Sequence, residues 1–198
     1  MDHEQHASEE PRKAHHYDPT TAWTIPGAGV PEQIREVVAY LRDRGLAADC
    51  ADAANILTKL LELSGRADAA GIGVSRAARL LYMSRRSLAR LCMRSGLPTP
   101  SRILAFGRIV RATRILHSTG WSVFRVAEAT GWVDPFGLSK TMHRLTGIRP
   151  TDARERGLLY LAEAWLQREV ADGGAVLRHP RAAPCPSCGQ QIRLVGDP

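Results

Sequence analysis

Between Val74 and Pro150 one pattern is written twice: a short helix, a tight turn, then a basic helix opening on Ser or Asp. The first copy starts Val74-Ser-Arg-Ala-Ala-Arg-Leu and the second Val123-Phe-Arg-Val-Ala-Glu-Ala. In the first, Ala77, Ala78 and Leu81 on the leading helix face Leu88 and Leu91 on the following one. Small Ala at the crossing lets the two axes approach closely, as the steep angle of a helix-turn-helix requires. Tyr82-Met83 makes the turn, and Ser84 caps the next helix by accepting from its exposed N–H groups. In the second copy Gly131 supplies the turn, Asp134 is the N-cap and Pro135 takes the first helical position, where its missing N–H costs nothing. Trp132, Leu138 and Met142 are its core residues.

The chain around these copies also reads as helical, with no alternating strand pattern. The expected fold is all-α: two helix-turn-helix subdomains joined by a linker helix, with a short helical N-terminal extension and a flexible C-terminal tail. Residues 1–29, with scattered His and Pro26-Gly27-Ala28-Gly29, read as a disordered tail. Residues 30–70 make the helical extension. Its first helix carries Ile34, Val37, Val38 and Leu41 on one face and stops at Gly45. Its second carries Ala53, Ala54, Ile56, Leu57, Leu60 and Leu61 and is expected to pack on the helices of the first motif. Residues 1–70, all that precedes the motifs here, are too few for a sizeable ligand-binding barrel, but suffice for a cap or a homodimer contact.

Residues 71–157 form the central unit, with the first motif at 74–94, the linker helix at 101–118 and the second motif at 123–145. Ser101 is the expected cap of the linker helix. Ile103, Leu104, Ile109, Ala112, Ile115 and Leu116 form its buried stripe, and Arg102, Arg108, Arg111 and Arg114 lie elsewhere around it. An amphipathic helix is expected from Arg154 to about Val170, with Leu158, Leu159, Leu161, Ala162, Trp165 and Leu166 on its apolar side, and residues 158–172 are its part beyond the central unit. Residues 173–198 are a flexible tail.

Charge is distributed unevenly. Residues 72–157 hold 16 Lys plus Arg against four Asp plus Glu, a net of +12, whereas the rest of the chain holds 11 against 16. Basic charge concentrated on two helix-turn-helix patterns points to nucleic acid, since each neutralised phosphate releases counterions and adds affinity. No apolar run approaches the ~20 residues that cross a bilayer, and the polar, acidic start is unlike a signal peptide. A cytoplasmic protein without membrane contact is therefore expected.

On the outer face of the first motif stand Arg85, Arg86, Ala89, Arg90 and Arg94. Arg86 and Arg90 lie one helical turn apart and can point at one major groove, where Arg bonds bidentately to guanine O6 and N7. Arg85 and Arg94, nearer the ends, suit phosphates. The outer face of the second motif shows Phe136, Gly137, Ser139, Lys140, His143 and Arg144. Phe136 can touch a thymine methyl and Lys140 a guanine or a phosphate, while Ser139 and Arg144 are phosphate candidates. This is the poorer reading surface, better suited to affinity than to base discrimination.

Residues 74–154 resemble the DNA-binding domain of the AraC/XylS family of bacterial transcription regulators. The resemblance is carried by Ala127-Glu-Ala-Thr-Gly131-Trp132, Asp134-Pro-Phe-Gly-Leu138-Ser-Lys140-Thr-Met142, Gly147-Ile-Arg-Pro150 and the following Arg154. Arg108-Ile109 and Ala112 sit where the family's linker helix has an Arg-Leu pair and an Ala. Leu138 and Met142 stand where Phe is usual, and Cys92 replaces an aromatic core residue. The resemblance implies base reading from Arg86, Ala89 and Arg90 in the first recognition helix, and from Pro135, Phe136 and Lys140 in the second. It further implies a non-enzymatic regulator whose partners are double-stranded DNA and RNA polymerase.

Cys185-Pro-Ser-Cys188-Gly189 is half of a zinc knuckle, with His179 as a third candidate ligand and no second CxxC to complete four. Zinc at Cys185 and Cys188 within one chain, zinc shared between two chains, a redox pair and a tail with no site are all open on this pattern. No other cofactor is expected. Two other functions compete with the regulator: a DNA-repair protein of the Ada type with a reactive zinc-bound cysteine, and a helical adaptor that binds protein.

Overall fold

The computed structural model describes residues 30–47, 51–65 and 71–172, and every element among them is an α-helix. In chain order these are α1 (Val30–Asp43), α2 (Ala51–Gly65), α3 (Val74–Leu80), α4 (Arg85–Arg94), α5 (Pro100–Ser118), α6 (Val123–Ala129), α7 (Pro135–Thr146) and α8 (Pro150–Ala171). The all-α expectation holds.

The linker helix α5 is the axis of the molecule. It packs chiefly on α2 and α8, and α1 closes the group by lying against α2 and α8. Ile34, Leu41, Leu57, Leu60, Ile103, Ile109 and Trp165 are all fully buried in this core. At its centre the Phe106 and Trp165 rings stack 4.0 Å apart and 8° from parallel. The six stripe residues of α5 are buried as expected, and one cluster of buried side chains runs from α1 through to α8.

Three expectations about the scaffold need correction. α2 turns its wide apolar face to α5 and α1, with the first motif lying against α5 instead. The two short motif helices leave no apolar stripe as broad as that of α5. Second, α5 starts at Pro100 with Thr99 as its N-cap, so Ser101 lies inside the first turn. Proline is pre-set for that first position and so brings the start forward. Third, the C-terminal helix is broken at Gly157 (φ 77°, ψ −166°). That conformation is open essentially to glycine alone. Beyond the break Leu161, Ala162, Trp165 and Leu166 are buried, whereas Leu159 stays 39% exposed.

Gly107 explains how α2 and α5 come so close. A Cβ added there would lie 1.9 Å from Ser64 Oγ, 3.1 Å from Ser64 Cβ and 3.2 Å from the Leu61 carbonyl oxygen. The Ser64 hydroxyl itself bonds back to the Leu60 and Leu61 carbonyls, each at 3.0 Å. Gly107→Ala is therefore expected to destabilise the fold by about 1–3 kcal/mol through overpacking, despite the ~1 kcal/mol by which Ala is the better helix former. Adding Ser64→Gly should recover part of the loss in denaturant unfolding. Equal stability of Gly107→Ala and the parent would mean that the two helices are not held at this separation.

The two motifs are built alike. Met83 N–H donates to the Ala78 carbonyl at 3.0 Å, and Trp132 N–H donates to the Ala127 carbonyl at 2.9 Å, closing the same turn in each copy. Left-handed backbone is needed one residue earlier, at Tyr82 (φ 55°) and at Gly131 (φ 71°). Glycine accepts this freely, but Tyr82 does so with its side chain 99% exposed and nothing packed on it in return. Tyr82→Gly should raise stability by up to about 1 kcal/mol, seen as a higher unfolding midpoint. A lower midpoint would show that the ring holds the turn.

Candidate nucleic-acid interface

Each recognition helix begins on a working cap. In α4 the Ser84 hydroxyl accepts from Ser87 N–H at 3.0 Å, and in α7 Asp134 Oδ1 accepts from Gly137 N–H at 2.6 Å. Leu88 and Cys92 point inward from α4, and Leu138, Met142 and Leu145 from α7. That fixes which faces remain outside. Arg85, Arg86, Ala89, Arg90 and Arg94 are all exposed on α4. No hydrogen bond or carboxylate partner engages these four arginines among the described residues. Arg85, Arg86 and Ala89 border an open groove whose other wall is Thr99, Pro100 and Ser101 at the start of α5.

The outer face of α7 is different in kind. Phe136 is 72% exposed, and Lys140 Nζ lies 5.9 Å from its ring centre, at the outer limit of a cation–π contact. Pro135 is half-buried, and His143 and Arg144 are exposed. Ser139 is half-buried, and its hydroxyl donates to the Pro135 carbonyl at 2.9 Å, so its proton is already engaged within the helix. In the longer second turn Val133 projects fully into solvent.

Arg102, Arg108 and Arg111 of α5 have other roles, which their place on the sequence did not reveal. Arg108 is half-buried, stacks over the Trp132 ring at 3.9 Å and donates to the Gly131 carbonyl at 2.9 Å. Burial lowers its pKa, though a guanidinium stays charged. Arg111 is buried and donates to the Ala129 carbonyl at 3.0 Å. Arg154, on the first turn of α8, donates to the Trp121 carbonyl. These side chains carry the orphan carbonyls at the end of α6 and its flanking turns. Thus they fix the second motif to the axis. Arg102 bonds to the buried Glu169 at 2.7 Å and to Asp172 at 3.1 Å, tying the head of α5 to the tail of α8. The +12 of residues 72–157 therefore overstates the free charge, and α4 presents four unpaired arginines on a single exposed helix.

A family model described as a helix-turn-helix domain matches residues 77–156, from within the first motif through the axis and the second motif. The chain carries an AraC-type helix-turn-helix domain. The match spans about two fifths of the chain and includes α4, α5, α6 and α7 whole. Comparison with curated proteins and with solved structures gave no match. In general terms the AraC-type domain makes this a DNA-binding protein of transcription regulation.

Within the AraC-type domain Cys92 is buried, and burial pushes its thiol up to about 12. A thiol so far from ionisation is no nucleophile at neutral pH. His179, Cys185 and Cys188 lie outside the described residues, and among the described residues no group of three or more His, Cys, Asp or Glu is placed to hold a metal. No helix among the described residues is long and apolar enough to cross a membrane.

Proposed function

We propose that the protein is a sequence-specific transcription regulator that inserts α4 and α7 into successive major grooves of one DNA duplex. The observation that carries this reading is the contrast between the helices. Three of the four arginines of α5, Arg102, Arg108 and Arg111, are engaged inside the protein, while those of α4 stand free on one capped, solvent-facing helix. The length of α5 supports the span. Its 19 residues make a rod of about 28 Å, against a separation of ~34 Å between successive major grooves on one face of DNA.

On this reading Arg86, Ala89 and Arg90 face base edges, and Arg85 and Arg94 hold phosphates. Pro135, Phe136 and Lys140 meet the second groove, where an exposed ring and a single cation give contact and affinity more than a base code. Ser139 and Arg144 lie beside them as phosphate contacts, Ser139 only after its hydroxyl leaves the Pro135 carbonyl. Helices α1 and α2 with the far part of α8 hold the axis rigid from behind.

Selection of bound sites from random duplex DNA tests the proposal. Two boxes about one helical turn apart are expected, the better defined one belonging to α4. A single box would remove α7 from base reading, and loss of all salt dependence would remove DNA as the ligand altogether.

A further inference from the structure

We propose that the cleft between α1, the end of α5 and the Gly157 break in α8 binds a small organic anion with a short apolar body. The cleft has a volume of about 560 Å³, within the range of sites that hold small molecules. No residue of α4 or α7 lines it, so the inference stands apart from the DNA reading.

Its chemistry is lopsided. Arg114 and Arg156 line it against one carboxylate, Glu36, and Leu158 and Leu159 supply an apolar wall. Arg114 is half-buried, and burial lowers its pKa. Among the described residues it has no hydrogen-bond or ion-pair partner, unlike Arg102, Arg108 and Arg111 on the same helix. A guanidinium partly withdrawn from water gains most from an oxyanion that accepts two of its N–H groups. Arg156 is held at the rim by stacking on the Tyr160 ring at 4.6 Å. His117, itself exposed, is anchored through Nδ1 to the Arg154 carbonyl at 2.7 Å, which holds the ring beside Gly157. Leu159, 39% exposed on a helix whose other leucines are more covered, is the surface on which a short alkyl chain would lie.

Hexanoate is the probe, with hexylamine and inorganic phosphate as controls, each titrated into the full chain by calorimetry. Saturable hexanoate binding is expected at millimolar concentration, with hexylamine silent and phosphate weaker. Arg114→Gln should weaken hexanoate by about tenfold, the worth of a charge-assisted hydrogen bond. Arg156→Gln and Leu159→Ser, both at exposed positions, should weaken it without disturbing the circular dichroism spectrum, and Glu36→Gln should tighten it. Absence of saturable hexanoate binding overturns the proposal, as does binding that Arg156→Gln and Leu159→Ser leave unchanged. Equal binding of hexylamine overturns it too, and phosphate binding as tightly as hexanoate overturns the apolar part.

Discussion

Arg102→Ala should lower the stability of the fold by about 3 kcal/mol at pH 7, and the loss should shrink as the pH falls. The side chain it abandons, Glu169, is fully buried, and burial raises the Glu169 pKa even with Arg102 working the other way. Arg102 in turn loses from burial but gains more from Glu169 and Asp172, so its own value is raised. Without the guanidinium, the buried carboxylate must either stay charged and unpaired or take up a proton. Protonating a carboxyl of ordinary value 4.5 at pH 7 costs about 3.4 kcal/mol, at ~1.4 kcal/mol per pH unit. That sets a ceiling on the charge part of the loss. The sign follows from proton counting. Between the unfolded value near 4.5 and the raised folded value, the folded variant holds a proton that the unfolded chain has released. Its stability is therefore greatest at and below the unfolded value and falls as pH rises through the folded one. Unfolding curves at several pH values should show the gap to the parent widening from pH 5 to pH 7. The double variant Arg102→Ala with Glu169→Gln should lose that dependence, and a gap independent of pH in the single variant would sink the argument.

The same ion pair shows where the sequence stops being legible. Caps, turns and apolar stripes are local signals, readable within one or two helical turns, with the cap of α5 the exception because Pro100 moves it from Ser101 to Thr99. Ser84 and Asp134 mark the recognition helices, Gly131 marks a turn, and the α5 stripe marks its buried face. Nothing local distinguishes Arg102, Arg108 and Arg111 from Arg86 and Arg90. Their difference is decided by partners far along the chain: Glu169 for Arg102, Trp132 for Arg108 and the Ala129 carbonyl for Arg111. Gly107 is similar, since a glycine inside a helix announces a close approach but not that Ser64 makes it. The break at Gly157 was hidden for another reason. Helical residues run on both sides of it, and only its backbone angles show the interruption. The candidate site was thus legible as a set of faces, whereas the division of charge between structure and surface was not.

That division makes the effect of the α4 arginines the sharpest functional expectation. Arg86→Ala and Arg90→Ala should each weaken binding to the selected site by about 1–3 kcal/mol and relax base preference there. Together they should cost more than either alone, though not additively, because residues one turn apart can share a base pair. Stability should stay within ~0.5 kcal/mol of the parent, since both side chains are exposed and pair with nothing among the described residues. An Arg108→Ala variant should behave in the opposite way. It strips the stacking from Trp132 and the bond to Gly131, so it should loosen the second motif and lower stability before it alters any base preference. Lys140→Ala, on the weaker face, should lower affinity evenly across sequences and flatten the salt dependence. Binding and unfolding measured on the four variants together separate base readers, phosphate contacts and scaffold. If Arg86→Ala and Arg90→Ala bind every duplex as the parent does, the free arginines of α4 are not what reads the sequence.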